Sequence, residues 1–148
     1  MTIIIQTLGA FFAVVGFCGI MEAPKKFRFW SGAAGSICWF IYLTVLRLND
    51  SKLISAFLSS LAVAFFAHMA ARRLKAPMTV FLIPGILPLV PGGSIYYSVY
   101  YLIQNNSVQA TYYLMETLQI AGAIALAVFL MDSFFRHVRK VKTQKSTG

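Results

Sequence analysis

Long apolar stretches alternate along the chain with short polar interruptions, most of them basic. Five stretches, residues 2–21, 29–46, 52–71, 77–103 and 110–135, reach the roughly 20 helical residues that a hydrocarbon core of roughly 30 Å requires. Backbone in lipid has no water to bond, and a helix satisfies its own N–H and C=O groups within one segment. The pattern therefore predicts an all-α, polytopic membrane protein with five transmembrane helices. It places one transmembrane domain over 1–135 and a basic tail over 136–148. The first stretch has no Lys or Arg ahead of it and no small-x-small cleavage site after it, so it reads as a retained span rather than a signal peptide.

The fourth stretch is the irregular one. It is too long for an untilted crossing, and within it runs P-G-I-L-P-L-V-P-G-G-S-I-Y-Y (84–97). Proline removes a backbone hydrogen bond and crowds the preceding turn, and paired glycines free the backbone for non-helical angles. This predicts two half-helices, 78–89 and 94–103, broken at Pro91-Gly92-Gly93, with Pro84, Gly85 and Pro88 weakening the turns before the break. Unwound backbone at membrane depth survives only where it is buried in protein or lines a watery cavity. A half-helix beginning there would present free N–H groups and a partial positive charge to a carboxylate. The candidate substrate-binding residues are accordingly Pro91, Gly92, Gly93, Ser94 and Tyr97, with Ser94 expected to cap the second half-helix. Ser98 and Tyr101 continue the same face.

Composition strengthens the membrane reading. The 148 residues are 59% hydrophobic and 11% charged, too few charges to coat a soluble domain of this size. The net charge of +9 does not imply nucleic acid, because the basic residues sit between and after the spans. Lys25, Lys26, Arg28, Arg72, Arg73, Lys75, Arg136, Arg139, Lys140, Lys142 and Lys145 fall on one side, and only Arg47 and Lys52 on the other. The positive-inside bias then puts the N-terminus outside and the C-terminus in the cytoplasm. Tyr96, Tyr97, Tyr100, Tyr101, Tyr112 and Tyr113 would form an outer aromatic belt, and Phe27, Phe29, Trp30, Phe134 and Phe135 an inner one.

Candidate chemistry is sparse. Cys18 and Cys38 lie inside apolar stretches without a ligand partner, so they read as small buried hydrophobes, and no metal site or cofactor is expected. Gly9, Ala13 and Gly16 on the first span, Gly32, Gly35 and Ser36 on the second, and Ala121, Gly122 and Ala125 on the fifth stand at helix-packing spacing. Ser55 and Ser59 share a face of the third span and are expected to bond their own helix. Asp132 lies one turn from Arg136, and a surface ion pair accounts for it. Glu116 lies inside the fifth span with no basic neighbour in sequence, which makes it the candidate proton carrier. His68 reads as an interfacial residue at the end of its span. The acids Asp50 and Asp132 fall at opposite faces, and Ser94 and His68 at different depths, so an enzyme is not expected.

Two segments carry a resemblance. A-R-R-L-K-A-P (71–77) followed by F-L-I-P-G-I-L-P-L-V-P-G-G-S-I-Y (81–96) resembles the signature of the threonine/serine exporter family. M-E-A-P-K-K (21–26) and G-A-A-G-S-I-C-W (32–39) are similar to that family's first cytoplasmic turn and glycine-rich second span. The likeness is to the small, five-span YjjB-type subunit, equivalent to the C-terminal half of fused exporters. It implies a separate YjjP-type five-span membrane subunit as partner. It also implies export of a small carboxylate-bearing solute, threonine or serine or a dicarboxylate such as succinate, across the cytoplasmic membrane. The proline–glycine segment 84–94 carries over as the substrate-proximal element, whereas Glu116 matches no motif of the family. A non-transporting assembly subunit is the competing expectation.

Overall fold

The computed structural model describes residues 2–144, with side chains described through Val138. Lys145 of the basic tail lies outside the described residues, as do the side chains of Arg139, Lys140 and Lys142. Six α-helices and no strand occupy the described residues: α1 (Thr2–Ile20), α2 (Lys25–Asn49), α3 (Lys52–Leu74), α4 (Thr79–Ile86), α5 (Gly92–Ile103) and α6 (Ser107–Gln144). The helices α1, α2, α3 and α6 are each long and apolar enough to cross a membrane, and α4 with α5 forms the fifth candidate span, bent by 49°.

The ends of the helices follow from local chemistry. Pro24 precedes α2, and Ser51 caps α3 by accepting a hydrogen bond from the Ile54 N–H at 3.4 Å. Asp50 and Lys75 stop α2 and α3 in the left-handed region, at φ 48° and 50°, and turn their N–H groups back to Leu46 and Ala71.

Helices α2 and α3 form the centre, α2 packing against α1, α3 and α4, and α3 against α2, α4 and α6. The buried positions of α3 include Ser55, Ala56, Ser59, Ser60, Ala64 and Ala67, a small-residue surface that lets neighbouring backbones come close. Ser55 and Ser59 donate to carbonyls of their own helix, at 2.8 Å to Ser51 and 2.6 Å to Ser55. The face therefore carries little polarity outward. Gly32 and Gly35 of α2 serve the same purpose toward α1: a Cβ there would sit 2.6 Å from Val15 Cγ2 and 2.5 Å from Val14 Cγ2. The expected faces on the first and fifth spans are not helix-packing faces within this chain. No atom lies within 4 Å of a Cβ at Gly9, Gly16 or Gly122, and α1 instead buries Val14 and Cys18. Phe27 and Phe135 also differ from the expected interfacial belt. Both are buried, Phe27 against Phe81 and Phe135 against His68.

The fourth span breaks, but later than its first proline. Helix α4 continues through Pro84 and Gly85, so these two residues do not form the helix break. Pro84 has no N–H to give the Val80 carbonyl one turn earlier. The Ser31 hydroxyl of α2 donates to that carbonyl instead, at 3.0 Å. Gly85 is a point of close approach, where a Cβ would meet Val63 Cγ2 at 2.7 Å and Ala34 Cβ at 3.1 Å. The break itself is a 3-10 turn over Leu87–Leu89, which contains Pro88, then an extended Val90 and Pro91. The second half-helix begins at Gly92, two residues before the expected Ser94.

Candidate functional site

A cavity of about 1370 Å³ lies between α4 and α6. The end of α3 contributes His68 and Arg72 to it, and the break contributes Val90 and Pro91. One face of α6 lines its length, with Thr117, Ala121, Ile124, Ala125, Val128 and Asp132 recurring at helical spacing. The alanines expected to pack against another helix thus face open space, where their small side chains widen the cavity.

Two polar contacts join α3 and α6, one at the cavity's His68–Asp132 end and the other beside its far end, where Ile95 and Thr117 are the lining residues next in sequence. At one end the Glu116 carboxylate accepts from Lys52 Nζ at 2.6 Å and from the Ser94 hydroxyl at 2.6 Å. At the other, Asp132 accepts from Arg136 Nε at 2.7 Å and faces His68 Nε2 at 3.8 Å. Sixteen residues separate Lys52 from His68, and sixteen separate Glu116 from Asp132, because the two helices run parallel. At 1.5 Å per residue the two contacts are roughly 24 Å apart, most of a bilayer core.

The Glu116 end ties three helices together. Lys52 is the first residue of α3, Ser94 stands in the first turn of α5, and Glu116 is ten residues inside α6, counting from Ser107. The Glu116 side chain is 14% exposed and that of Lys52 54%. A carboxylate in this position needs a partner to stay charged away from water, and Lys52 supplies it from the mouth of the adjacent helix. The pairing was invisible in sequence because 64 residues separate the two. The signal that could have found it is that Lys52 is one of only two basic residues on its side of the chain, with Arg47. Ser94 does not cap α5, because the helix already begins at Gly92 with Pro91 at its N-cap, and the Ser94 hydroxyl donates to Glu116 instead.

The glycines at the break are open. Gly92 and Gly93 are exposed, and an added Cβ at either would meet no atom within 4 Å. Pro91 lines the cavity beside them. Tyr97 lies away from the cavity. Its ring packs on Tyr113 at 5.3 Å, within a ladder in which Tyr101 also stacks on Tyr113 at 5.7 Å. With the Ser98 hydroxyl donating to the Ala110 carbonyl at 3.0 Å, these rings fasten α5 to the start of α6.

At the opposite end, His68 is not a lone interfacial residue. It stacks on Phe135 with centroids 4.3 Å apart, and the Arg72 guanidinium lies over the same ring at 4.7 Å. The Asp132–Arg136 pair is the one that the sequence spacing implied. Ser94 of α5 shares the Glu116 carboxylate with Lys52 at the start of α3, whereas His68 lies sixteen residues further along α3, so the two are not a nucleophile–base pair. Among the described residues no group of three His, Cys, Asp or Glu side chains converges to hold a metal.

Comparison with known proteins gives one concordant result. The model of a family described as threonine/serine exporter, ThrE, matches residues 6–134. A threonine/serine exporter of Corynebacterium glutamicum is 29% identical over 101 residues, covering 68% of this chain and 20% of that relative. The chain therefore spans about a fifth of that relative's length. No solved structure matches.

Proposed function

Because the chain belongs to the threonine/serine exporter family, we propose that it is one membrane half of a secondary exporter. The exporter would move small carboxylate-bearing metabolites of the threonine and serine type out of the cell. The observation that carries this reading is the cavity that leads along α6 to a broken span, with Ser94 of that span bonded to the Glu116 carboxylate of α6. Broken helices whose N-termini face a cavity are a recurring way for transporters to meet an anionic solute.

On this reading, the positive-inside bias of the connections would turn the Asp132 end of the cavity to the cytoplasm and the Glu116 end toward the outside. A solute then enters between α4 and α6 and rises along the α6 face to the break. There the exposed backbone of Gly92 and Gly93 meets its carboxylate. The Glu116–Lys52–Ser94 contact closes the path above. Protonation of Glu116 would release both Ser94 and Lys52, so that α5 can move on the Leu87–Pro91 segment. Tyr42 and Tyr112 are the other titratable groups near this contact. The exposed Gly92–Gly93 backbone leaves room for a second chain to complete the site. A separate five-span subunit is the partner that fits, because the relative is several times longer than the stretch it shares with this chain.

Glu116→Gln keeps the shape of the side chain and removes its proton exchange. In cells expressing both halves, we expect threonine efflux that varies with external pH in the wild type and is flat in the variant, with the rate lowered about tenfold, the scale of one lost charged contact. Unaltered rate and pH dependence would remove Glu116 from the mechanism.

A further inference from the structure

The cytoplasmic end of the cavity holds a set of charges that the path described above does not use. Arg72, Asp132, Arg136 and His68 all line it, with His68 Nε2 3.8 Å from Asp132. Three features separate this set from ordinary interfacial charges. First, Asp132 is only one third exposed, with one oxygen on Arg136, itself 79% exposed, and the other toward His68. Second, Arg72 is held over the Phe135 ring, which fixes the plane of its guanidinium beside the cavity without consuming its fork of donors in a carboxylate. Third, the cavity beyond them is apolar, lined by Ala76, Ile86, Ile124 and Val128, so a solute crossing this end leaves water here.

We propose that Arg72, Arg136 and Asp132 form a zwitterion-binding station at the cytoplasmic mouth, distinct from the break. It rests on the exporter reading and deepens it. The carboxylate of a free α-amino acid is received by Arg72 together with Arg136, since guanidinium and carboxylate match two donors to two acceptors. The ammonium is received by the Asp132 oxygen that faces His68. His68 is a positioning residue, stacked on Phe135 so that Asp132 keeps its orientation. A dicarboxylate satisfies the two arginines but brings a second negative charge against Asp132, so the station discriminates by the ammonium group. The apolar stretch that follows suits a small uncharged side chain. The solute carries its own charges to the break as an internally balanced pair.

The test is equilibrium binding of radiolabelled L-threonine to the purified complex of both subunits in phosphatidylcholine nanodiscs, with succinate and N-acetyl-L-threonine as competitors. Arg72→Gln and Arg136→Gln should each weaken L-threonine binding about tenfold or more. Asp132→Asn should weaken L-threonine by a similar factor while leaving N-acetyl-L-threonine unchanged and improving succinate. That split also shows that the variant is folded, and Arg136→Lys should recover part of the loss. Wild-type affinity in all three variants overturns the station and leaves the exporter reading standing. Equal weakening of all ligands by Asp132→Asn overturns it too, since a merely structural residue would do that. If the arginine variants lose affinity only when phosphatidylglycerol is added, the pair holds a lipid headgroup and the inference fails. A wild-type complex that binds none of the three solutes overturns both readings.

Discussion

Ser31 and Pro84 show how a membrane chain compensates a local defect. Proline in α4 leaves the Val80 carbonyl without its helical donor, in a setting where water cannot replace it. The Ser31 hydroxyl fills that vacancy from the neighbouring helix, while also lying 3.2 Å from the Phe27 carbonyl of its own. Ser31→Ala should cost about 1–2 kcal/mol, the cost of leaving a buried acceptor unsatisfied. In a Pro84→Ala background, where residue 84 regains its N–H, the same change should be nearly neutral. Thermal unfolding of the four proteins in one detergent gives the coupling directly, and additive effects would reject the compensation. Neither residue's role could be read from sequence. Pro84 looked like part of the break because its chemistry breaks an isolated helix, and only the position of Ser31, 53 residues earlier, keeps that helix intact. Glu116 was legible as an acid in an unusual place. Its partners were not, because both are distant in the chain.

At the scale of elements, the apolar pattern located the helices to within a few residues, except that α6 runs nine residues past the expected end at Phe135, to Gln144, and takes in the start of the basic tail. Hydrophobic length and basic punctuation are local properties, and in lipid they decide the outcome nearly alone. Packing faces were read less well. Small residues at helical spacing mark where a backbone can approach, but not whether a partner is there, and α1 turns its Gly9–Ala13–Gly16 row away from the rest of the chain. Glycines of one span accordingly divide into two kinds. At Gly85 a Cβ collides with Val63 and Ala34, so Gly85→Ala should destabilise the fold by about 1–3 kcal/mol, the usual cost of overpacking, and lower the yield of folded protein. At Gly93 the space is open, so Gly93→Leu should fold and insert as the wild type does. It should nevertheless abolish efflux, because its side chain covers the N–H groups at the break. Normal efflux from well-expressed Gly93→Leu would sink the proposed site at the break.

Over the whole molecule, the arrangement is a bundle built on α2 and α3, with α5 and the first turns of α6 extending as a tyrosine-fastened hairpin. A cavity lies between α4 and α6, and a polar contact stands at either end of the neighbouring α3–α6 pair. Its existence was not legible in sequence, since it comes from two helices that stay apart. Its position along the chain was, because the proline–glycine run falls where α4 gives way to α5. The charges that border it are few, Arg72, Asp132 and Arg136, while the Lys52–Glu116 pair lies at the other end of the α3–α6 pair. The exposed Gly92–Gly93 backbone is the place where the proposed second half would complete the site.

The most direct measurement is threonine counterflow in proteoliposomes containing this chain alone, the five-span partner alone, or both. The account predicts counterflow only when both chains are present, and its loss when Gly93→Leu replaces the wild-type chain. Full counterflow by the partner alone would contradict it, reducing this chain to an assembly subunit whose broken helix serves packing and nothing else.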